Sequence, residues 1–514
     1  MGDVPDSPAR RGLGAALLWV FAAALLGWVV AWPWLAGMVA MNDDLKFVRV
    51  AVPGSTVGER IAEAWRADPT FRPLEIAAGA SCDPWSLGPG YTPALQAFGV
   101  LAASAAVVAL ARRVVPVSSA APPLALCLFA LSPATSVSAW QVDTVSQTWT
   151  AAIGAWCVLL AHDAVARGQG RRPAVLPSLA LAGLLSLGCA VKETGLGWSA
   201  GIALALVAAG AFGRRAPGVL PRCVVAAVPC LLIPAAIVIA RLATGSLGSL
   251  ASGDEGAKYS AQFGANLLMN AALSLGGLSG NGPFHLLTDD GAPPLLRALP
   301  VVSVLATVAL ACVTALLAAV NRRGAGGVRW GLLLLAWVAA LASLALTLPM
   351  GSVGELYGMG ANVVASVALA ALARAAWNPV ARDEVLLGRV ACTACLVALL
   401  AVGSTGLAGR ASAFASTWRV ATAMNGPIVE AVRASERDRR DLTVHFSLPC
   451  FEGRTYGQYV TPPLQTIDPG RSSQWFDSVT PNCSVMLSPD AAPADLGPGR
   501  LLIDCSGLAG AVSR

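Results

Sequence analysis

Long apolar runs with hardly a charge recur along the chain, at roughly 12–39, 92–110, 117–135, 146–162, 174–190, 195–211, 220–240, 297–319, 331–349, 359–377 and 388–408. An α-helix rises 1.5 Å per residue, so about 20 such residues cross roughly 30 Å of hydrocarbon. The pattern predicts an all-α polytopic membrane protein with about 11 transmembrane helices. Met1–Arg11 is polar and ends in Arg10–Arg11, like the start of a signal peptide. The run that follows is too long and lacks a cleavage context, so it reads as a retained first span.

The polar gaps set the orientation. Arg112–Arg113, Arg167 to Arg172, Arg214–Arg215, Arg322 to Arg329 and Arg382 to Arg389 fall on one side if the N-terminus is cytoplasmic. That is the positive-inside pattern. The gaps 40–91 and 241–296, the short turns near 136–145, 191–194 and 350–358, and the tail from 409 are then outside. Arg437, Arg439 and Arg440 lie well beyond the last span, where the rule loses force. The division predicted is a membrane domain over 1–408 and an extracytoplasmic C-terminal region over 409–514.

Composition agrees, with 56% apolar residues and 12% charged, against about 25% charged in soluble chains. Mean hydropathy is +0.65. The net charge of +6 is almost entirely arginine and sits largely in the short gaps, so it reports topology before it reports an anionic ligand. No basic stripe is interleaved with aromatics, which argues against nucleic acid as a partner. The alanine, glycine and arginine-over-lysine bias suits a high-GC bacterium, so the expected location is a bacterial inner (plasma) membrane.

The tail predicts an amphipathic helix near 412–437 and a small α+β region, with strands at Leu442–Leu448, Tyr456–Tyr459 and Ser484–Leu487. Cys450, Cys483 and Cys505 fall there and Cys82 in the first outer loop, so one or two disulfides are expected in an oxidising compartment. The other eight cysteines lie in or near spans and read as small buried apolar side chains. The sequence has no P-loop, GxGxxG in a soluble βαβ context, metal-spaced CxxC pair or HExxH, and its three histidines are scattered.

The charges near the outer boundary carry the candidate chemistry. Asn42–Asp43–Asp44 follows the first span, and adjacent carboxylates there are costly unless they face water, a cation or a ligand. One of Asp43 and Asp44 is a candidate general base, the other orienting the acceptor or holding a divalent cation; both also read as a plain boundary marker. Lys46 and Arg49 either neutralise them or face a phosphate. Lys192–Glu193 sits in a tight turn between two spans, with Lys192 suited to a lipid phosphate and Glu193 to fixing it. A charged turn ending two helices is the alternative. Arg72 is another candidate anion ligand. Asp143, beside Trp140 and Gln141, has the chemistry of a carbohydrate subsite; Glu355 and Tyr357 can bond a sugar or phosphate, Tyr357 being equally an interfacial anchor. Lys258, Tyr259 and His285 rank lower.

In their order and shared side, Asn42–Asp43–Asp44, Phe71–Arg72–Pro73–Leu74, Val191–Lys192–Glu193–Thr194 and Glu355–Leu356–Tyr357 resemble the GT-C superfamily of membrane glycosyltransferases. The resemblance is particularly to the protein O-mannosyltransferase and tetratricopeptide-linked mannosyltransferase-like branch, and it covers roughly 12–408. The resemblance implies a GT-C-like fold and a polyprenyl- or dolichyl-phosphate-linked monosaccharide donor. It also implies transfer on the outer face to a hydroxyl of a protein, lipid or glycan acceptor, usually with inversion. It further implies Asp43 or Asp44 as base, Lys192 and Arg72 as donor-phosphate ligands, and Glu193 and Tyr357 as supports, with no certain cofactor. Where the family often has a histidine-proline pair this chain has Ser132–Pro133, and Tyr357–Gly358–Met359 lacks the family's following arginine and second tyrosine. Two other functions suit a polytopic chain. A transporter or flippase would show paired ionisable or broken positions near mid-membrane. An inactive cell-envelope scaffold would tolerate neutralisation of Asp43, Asp44 and Lys192.

Overall fold

The structure is a computed structural model that describes residues 8–39, 56–67, 73–81, 88–141, 144–212, 218–243, 305–306, 308–316, 328–345, 358–377, 385–438, 442–447, 483–488 and 500–503. Among them run helices α1 (Pro8–Leu35), α2 (Val57–Ala67), α3 (Pro73–Ser81), α4 (Thr92–Val114), α5 (Ala121–Leu131), α6 (Pro133–Trp140), α7 (Val145–Ala166), α8 (Val175–Val191), α9 (Thr194–Phe212), α10 (Val219–Ala243), α11 (Trp330–Ala345), α12 (Met359–Ala376) and α13 (Val385–Asp438). Residues 308–316 are helical as well. Seven helices among the described residues are long and apolar enough to cross a membrane, or eight if the bent pair α5–α6 is one span. The chain is a multi-pass membrane protein built as an apolar helical bundle.

Proline in the first turn opens α4, α5 and α6, where its missing N–H costs nothing. Pro133 starts a new helix bent 59° from α5. The sequence pattern ends that span at 135 and predicts a turn over 136–145; the chain instead stays helical and buried to Trp140, and α7 begins at Val145. Hydropathy misses α6 because its serines and threonine face protein rather than lipid.

Helices α9 and α11 pack closely through Gly197 and Gly201, a GxxxG pair. A Cβ at Gly197 would lie 2.6 Å from the Ala342 carbonyl oxygen, and one at Gly201 2.6 Å from Ala339 Cα. In lipid, where apolar surface gives helices no reason to associate, such close backbone approach is what holds a pair together. Gly154 of α7 likewise leaves the room that the Trp198 ring of α9 fills.

The two ends of the bundle differ in kind. At one, Asp163 accepts from Arg113 through both carboxylate oxygens and from Arg167 at 3.0 Å, with His162 Nδ1 at 3.3 Å. The backbone N–H of Arg329 bonds the Val114 carbonyl at 2.8 Å, and Arg222 Nη1 bonds that of Gly168 at 2.6 Å. At the other end α8 turns into α9, and the polar layer described below is buried.

Helix α13 runs unbroken from the last predicted span through 408 into the predicted amphipathic helix, about 80 Å at 1.5 Å per residue. Beyond it, β1 (Leu442–Ser447) lies between β2 (Cys483–Ser488) and β3 (Arg500–Ile503), both parallel to it, with Leu442 opposite Cys483 and Thr443 opposite Arg500. Strands β1 and β2 coincide with predicted ones, β3 has no predicted counterpart, and Tyr456–Tyr459 lies outside the described residues, as do Cys82, Cys450 and Cys505.

Candidate functional site

Helix α8 stops at Val191 because Lys192 turns extended (φ −159°, ψ 156°). Its N–H still bonds the Gly188 carbonyl at 3.3 Å, while the carbonyls of Lys192 and Glu193 accept from the N–H groups of Gly195 and Leu196 at 2.9 Å each. Two residues thus end one helix and begin the next, satisfying orphan backbone groups of both. Gly195 makes the hairpin this tight. A Cβ there would fall onto the Gly188 carbonyl and come within 2.8 Å of the Cys189 nitrogen.

Lys192 and Glu193 are half-buried. The Lys192 ammonium donates to Ser146 Oγ at 3.2 Å, across from α8 to the first turn of α7. Next to Ser146 lies a buried amide and hydroxyl network. Gln96 Nε2 donates to the Gln141 carbonyl at 2.6 Å and to Thr144 Oγ1 at 3.0 Å, Thr148 donates to Gln96 Oε1 at 2.9 Å, and Thr144 donates to the Ser138 carbonyl at 2.8 Å. These bonds fix the ends of α4, α6 and α7 and the turn that leads through Gln141. Helix α3 docks alongside, through Tyr91 N to Ser81 Oγ at 3.0 Å and Thr92 Oγ1 to the Ala78 carbonyl at 3.3 Å.

The break between α5 and α6 is held from outside. Arg410 of α13, 5% exposed, donates from Nη2 to the Leu131 carbonyl and from Nε to Ser136 Oγ, both at 2.8 Å. Asn362 of α12 donates to Thr135 Oγ1 at 2.9 Å, and Thr135 donates to the Phe129 carbonyl at 2.7 Å. Carbonyls that a broken helix leaves orphaned in an apolar bundle must find such partners. Trp140 Nε1 bonds the Val29 carbonyl at 2.9 Å, Trp32 Nε1 that of Ala411 at 3.1 Å, and Trp140 meets Phe414 edge-on at 5.6 Å, binding α1, α6 and α13 at this end.

Of the residues singled out in the sequence, Lys192 and Glu193 are described and share the turn expected of them. Asp43, Asp44, Lys46, Arg49, Arg72, Asp143, Lys258, Tyr259, His285, Glu355 and Tyr357 lie outside the described residues. Among the described residues no three His, Cys, Asp or Glu side chains group as metal ligands. Two buried charges escaped the sequence reading. Glu75 of α3, 3% exposed, directly follows the Phe71–Arg72–Pro73–Leu74 segment, and Arg410 is the lone charge between Arg389 and Arg419. That isolation in an apolar stretch was the available signal for Arg410.

No protein-family profile matches the chain, and no curated protein does. Among solved structures it is similar to the oligosaccharyltransferase AglB from Archaeoglobus fulgidus in complex with an inhibitory peptide and a dolichol-phosphate. Identity there is 15% and the TM-score 0.44, over 88% of this chain and 65% of that one. It is similar also to the apo form of the Archaeoglobus fulgidus oligosaccharyltransferase, at 13% identity and TM-score 0.46, over 87% of this chain and 63% of that one. The chain thus spans just under two thirds of the length of either.

Proposed function

We propose that the chain is a GT-C-type membrane glycosyltransferase of about 11 spans that moves a monosaccharide from a polyprenyl-phosphate-linked donor to a hydroxyl acceptor. In this reading the arginine end is cytoplasmic, the Lys192 end is outer, and residues 409–514 form an extracytoplasmic region that meets acceptor or partner. The observation that supports it most is Lys192. A half-buried ammonium donates to Ser146 Oγ at 3.2 Å in a tight turn at the edge of an apolar bundle. Such a cation is suited to a phosphate whose lipid tail lies along the bundle. The order of the acidic, FRPL, KE and ELY segments along the sequence supports the same reading.

The reaction needs fixed positive charge on the leaving phosphate and a carboxylate on the acceptor. Asp43 or Asp44 takes the acceptor's hydroxyl proton as its oxygen bonds to the anomeric carbon. The carbon–oxygen bond to phosphate breaks, and polyprenyl phosphate leaves with the electron pair, held by Lys192 and Arg72. Glu193 orients Lys192, while Asp143, Glu355 and Tyr357 bind sugar or acceptor.

The test is transfer from a panel of radiolabelled polyprenyl-phosphate sugars by membranes containing the wild-type chain. Labelled product from at least one donor is expected. A blank panel beside a working control transferase would favour a transporter or scaffold.

A further inference from the structure

A groove of about 430 Å³ lies between α1, α4 and α5, away from the polar end of the bundle. Trp19, Leu26, Leu101 and Val108 give it apolar walls, Ser104 lines it one turn from Leu101, and Arg112 closes it at the arginine end. From Leu101 to Arg112 helix α4 rises about 16 Å. That is close to half of a roughly 30 Å hydrocarbon core, the depth of one leaflet.

Two polar groups of the groove are unmatched. Ser104 is 4% exposed, and its hydroxyl has no hydrogen-bond partner among the described residues. Most helical serines in this bundle bond a carbonyl of the preceding turn, as Ser366 bonds that of Asn362 at 2.8 Å and Ser404 that of Leu400 at 2.7 Å. Arg112 is exposed and makes no hydrogen bond or ion pair among the described residues, whereas its neighbour Arg113 is taken up by Asp163. The groove therefore presents a cation at the membrane boundary and below it an apolar wall about 16 Å deep, with Ser104 near its inner end.

We infer that this groove holds one anionic phospholipid of the leaflet at the arginine end, its phosphate on Arg112 and an acyl chain along Val108, Leu101, Trp19 and Leu26. An anionic headgroup is favoured over a zwitterionic one because no ion pair among the described residues compensates Arg112, as in basic pockets between membrane helices. The groove belongs neither to the Lys192 turn nor to the proposed transfer reaction, and the inference stands or falls without them.

The test uses the full chain purified in detergent, with phosphatidylglycerol and phosphatidylcholine titrated separately and bound lipid counted by native mass spectrometry. One tightly retained phosphatidylglycerol per chain is expected, and Arg112→Gln should cut its preference over phosphatidylcholine about fivefold, the effect of one arginine at a membrane surface. Ala105→Trp, which fills the groove from α4, should abolish retention of both lipids, while Arg171→Gln should change nothing. The inference is overturned if Arg112→Gln keeps the full preference, if Arg171→Gln lowers it equally, or if Ala105→Trp retains the lipid with unchanged thermal unfolding. It is overturned too if millimolar inorganic phosphate displaces the lipid as well as phosphatidylglycerol does, since the tail would then contribute nothing.

Discussion

Gly195→Ala adds one methyl group at the point where the α8–α9 turn is tightest. The new Cβ would stand 2.8 Å from the Cys189 nitrogen and nearer still to the Gly188 carbonyl, both backbone atoms that no rotamer change can move. Ordinary contact begins near 3.4 Å, so the hairpin must open by at least 0.6 Å (3.4 minus 2.8). The Lys192–Ser146 bond, already 3.2 Å long, does not survive that shift. Overpacking of this kind costs about 1–3 kcal/mol. At roughly 2–4 °C per kcal/mol for a chain of this size, thermal unfolding should fall by about 2–12 °C. If Lys192 binds the donor as proposed, the effect on transfer is larger, because misplacing a binding group by about 1 Å costs on the order of 100-fold in rate. The assay pairs thermal unfolding in detergent with sugar transfer at saturating acceptor. Gly183→Ala on α8, where a Cβ meets nothing within 4 Å, is the control and should match wild type in both. Wild-type unfolding and transfer in Gly195→Ala would refute the claim that this glycine sets the turn and that the turn sets Lys192.

Further predictions concern the frame around the site. Gly201→Leu drives a side chain into Ala339 and Ala342 of α11, so it should destabilise the bundle by at least about 3 kcal/mol; unfolding within 1 °C of wild type would contradict the close packing. Arg410→Met keeps the stem but strips the Leu131 carbonyl and Ser136 hydroxyl of their donor, costing about 2–3 kcal/mol. Arg410→Lys should recover only part of that in the same unfolding assay, having no fork to span both acceptors. In α2, the Thr56 backbone N–H and then its hydroxyl hold the exposed Glu59 carboxylate below its ordinary value of 4.5. A depressed folded value means that this capping box supports α2 above pH 4.5 and lets go as pH falls through the folded value. Thr56→Ala should return Glu59 toward 4.5, read from its side-chain carboxyl signal by NMR in the labelled chain; an unmoved titration would rule out the box.

Most membrane-spanning helices are legible in the sequence because lipid leaves them little choice of composition: α4, α7, α9, α10 and α12 start and stop within a few residues of their apolar runs. What hydropathy cannot see is a segment solvated by protein. Helix α6 reads as a polar turn, yet its Thr135, Ser136 and Ser138 are buried, and Thr135 and Ser136 are bonded by partners on α12 and α13. Helix α13 passes through Gly403, Gly406 and Gly409, where the apolar run ends at 408 but packing of Phe414 and Trp418 carries the helix on. Lys192–Glu193 was readable because a charge pair inside a four-residue turn can only lie at the membrane edge. Glu75 was not, since its burial depends on α3 folding onto the ends of α4 and α7, which no local pattern announces.

In the proposed function, carboxylates after the first span and a lysine in the α8–α9 turn act on a lipid-linked sugar. The most direct measurement is transfer by purified wild type, Asp43→Asn, Asp44→Asn and Lys192→Ala at matched protein levels and confirmed folding. One aspartate variant should lose transfer by about 100-fold or more, the general-base share of such a reaction, and Lys192→Ala should weaken use of the donor. Full transfer by all three variants would contradict the account.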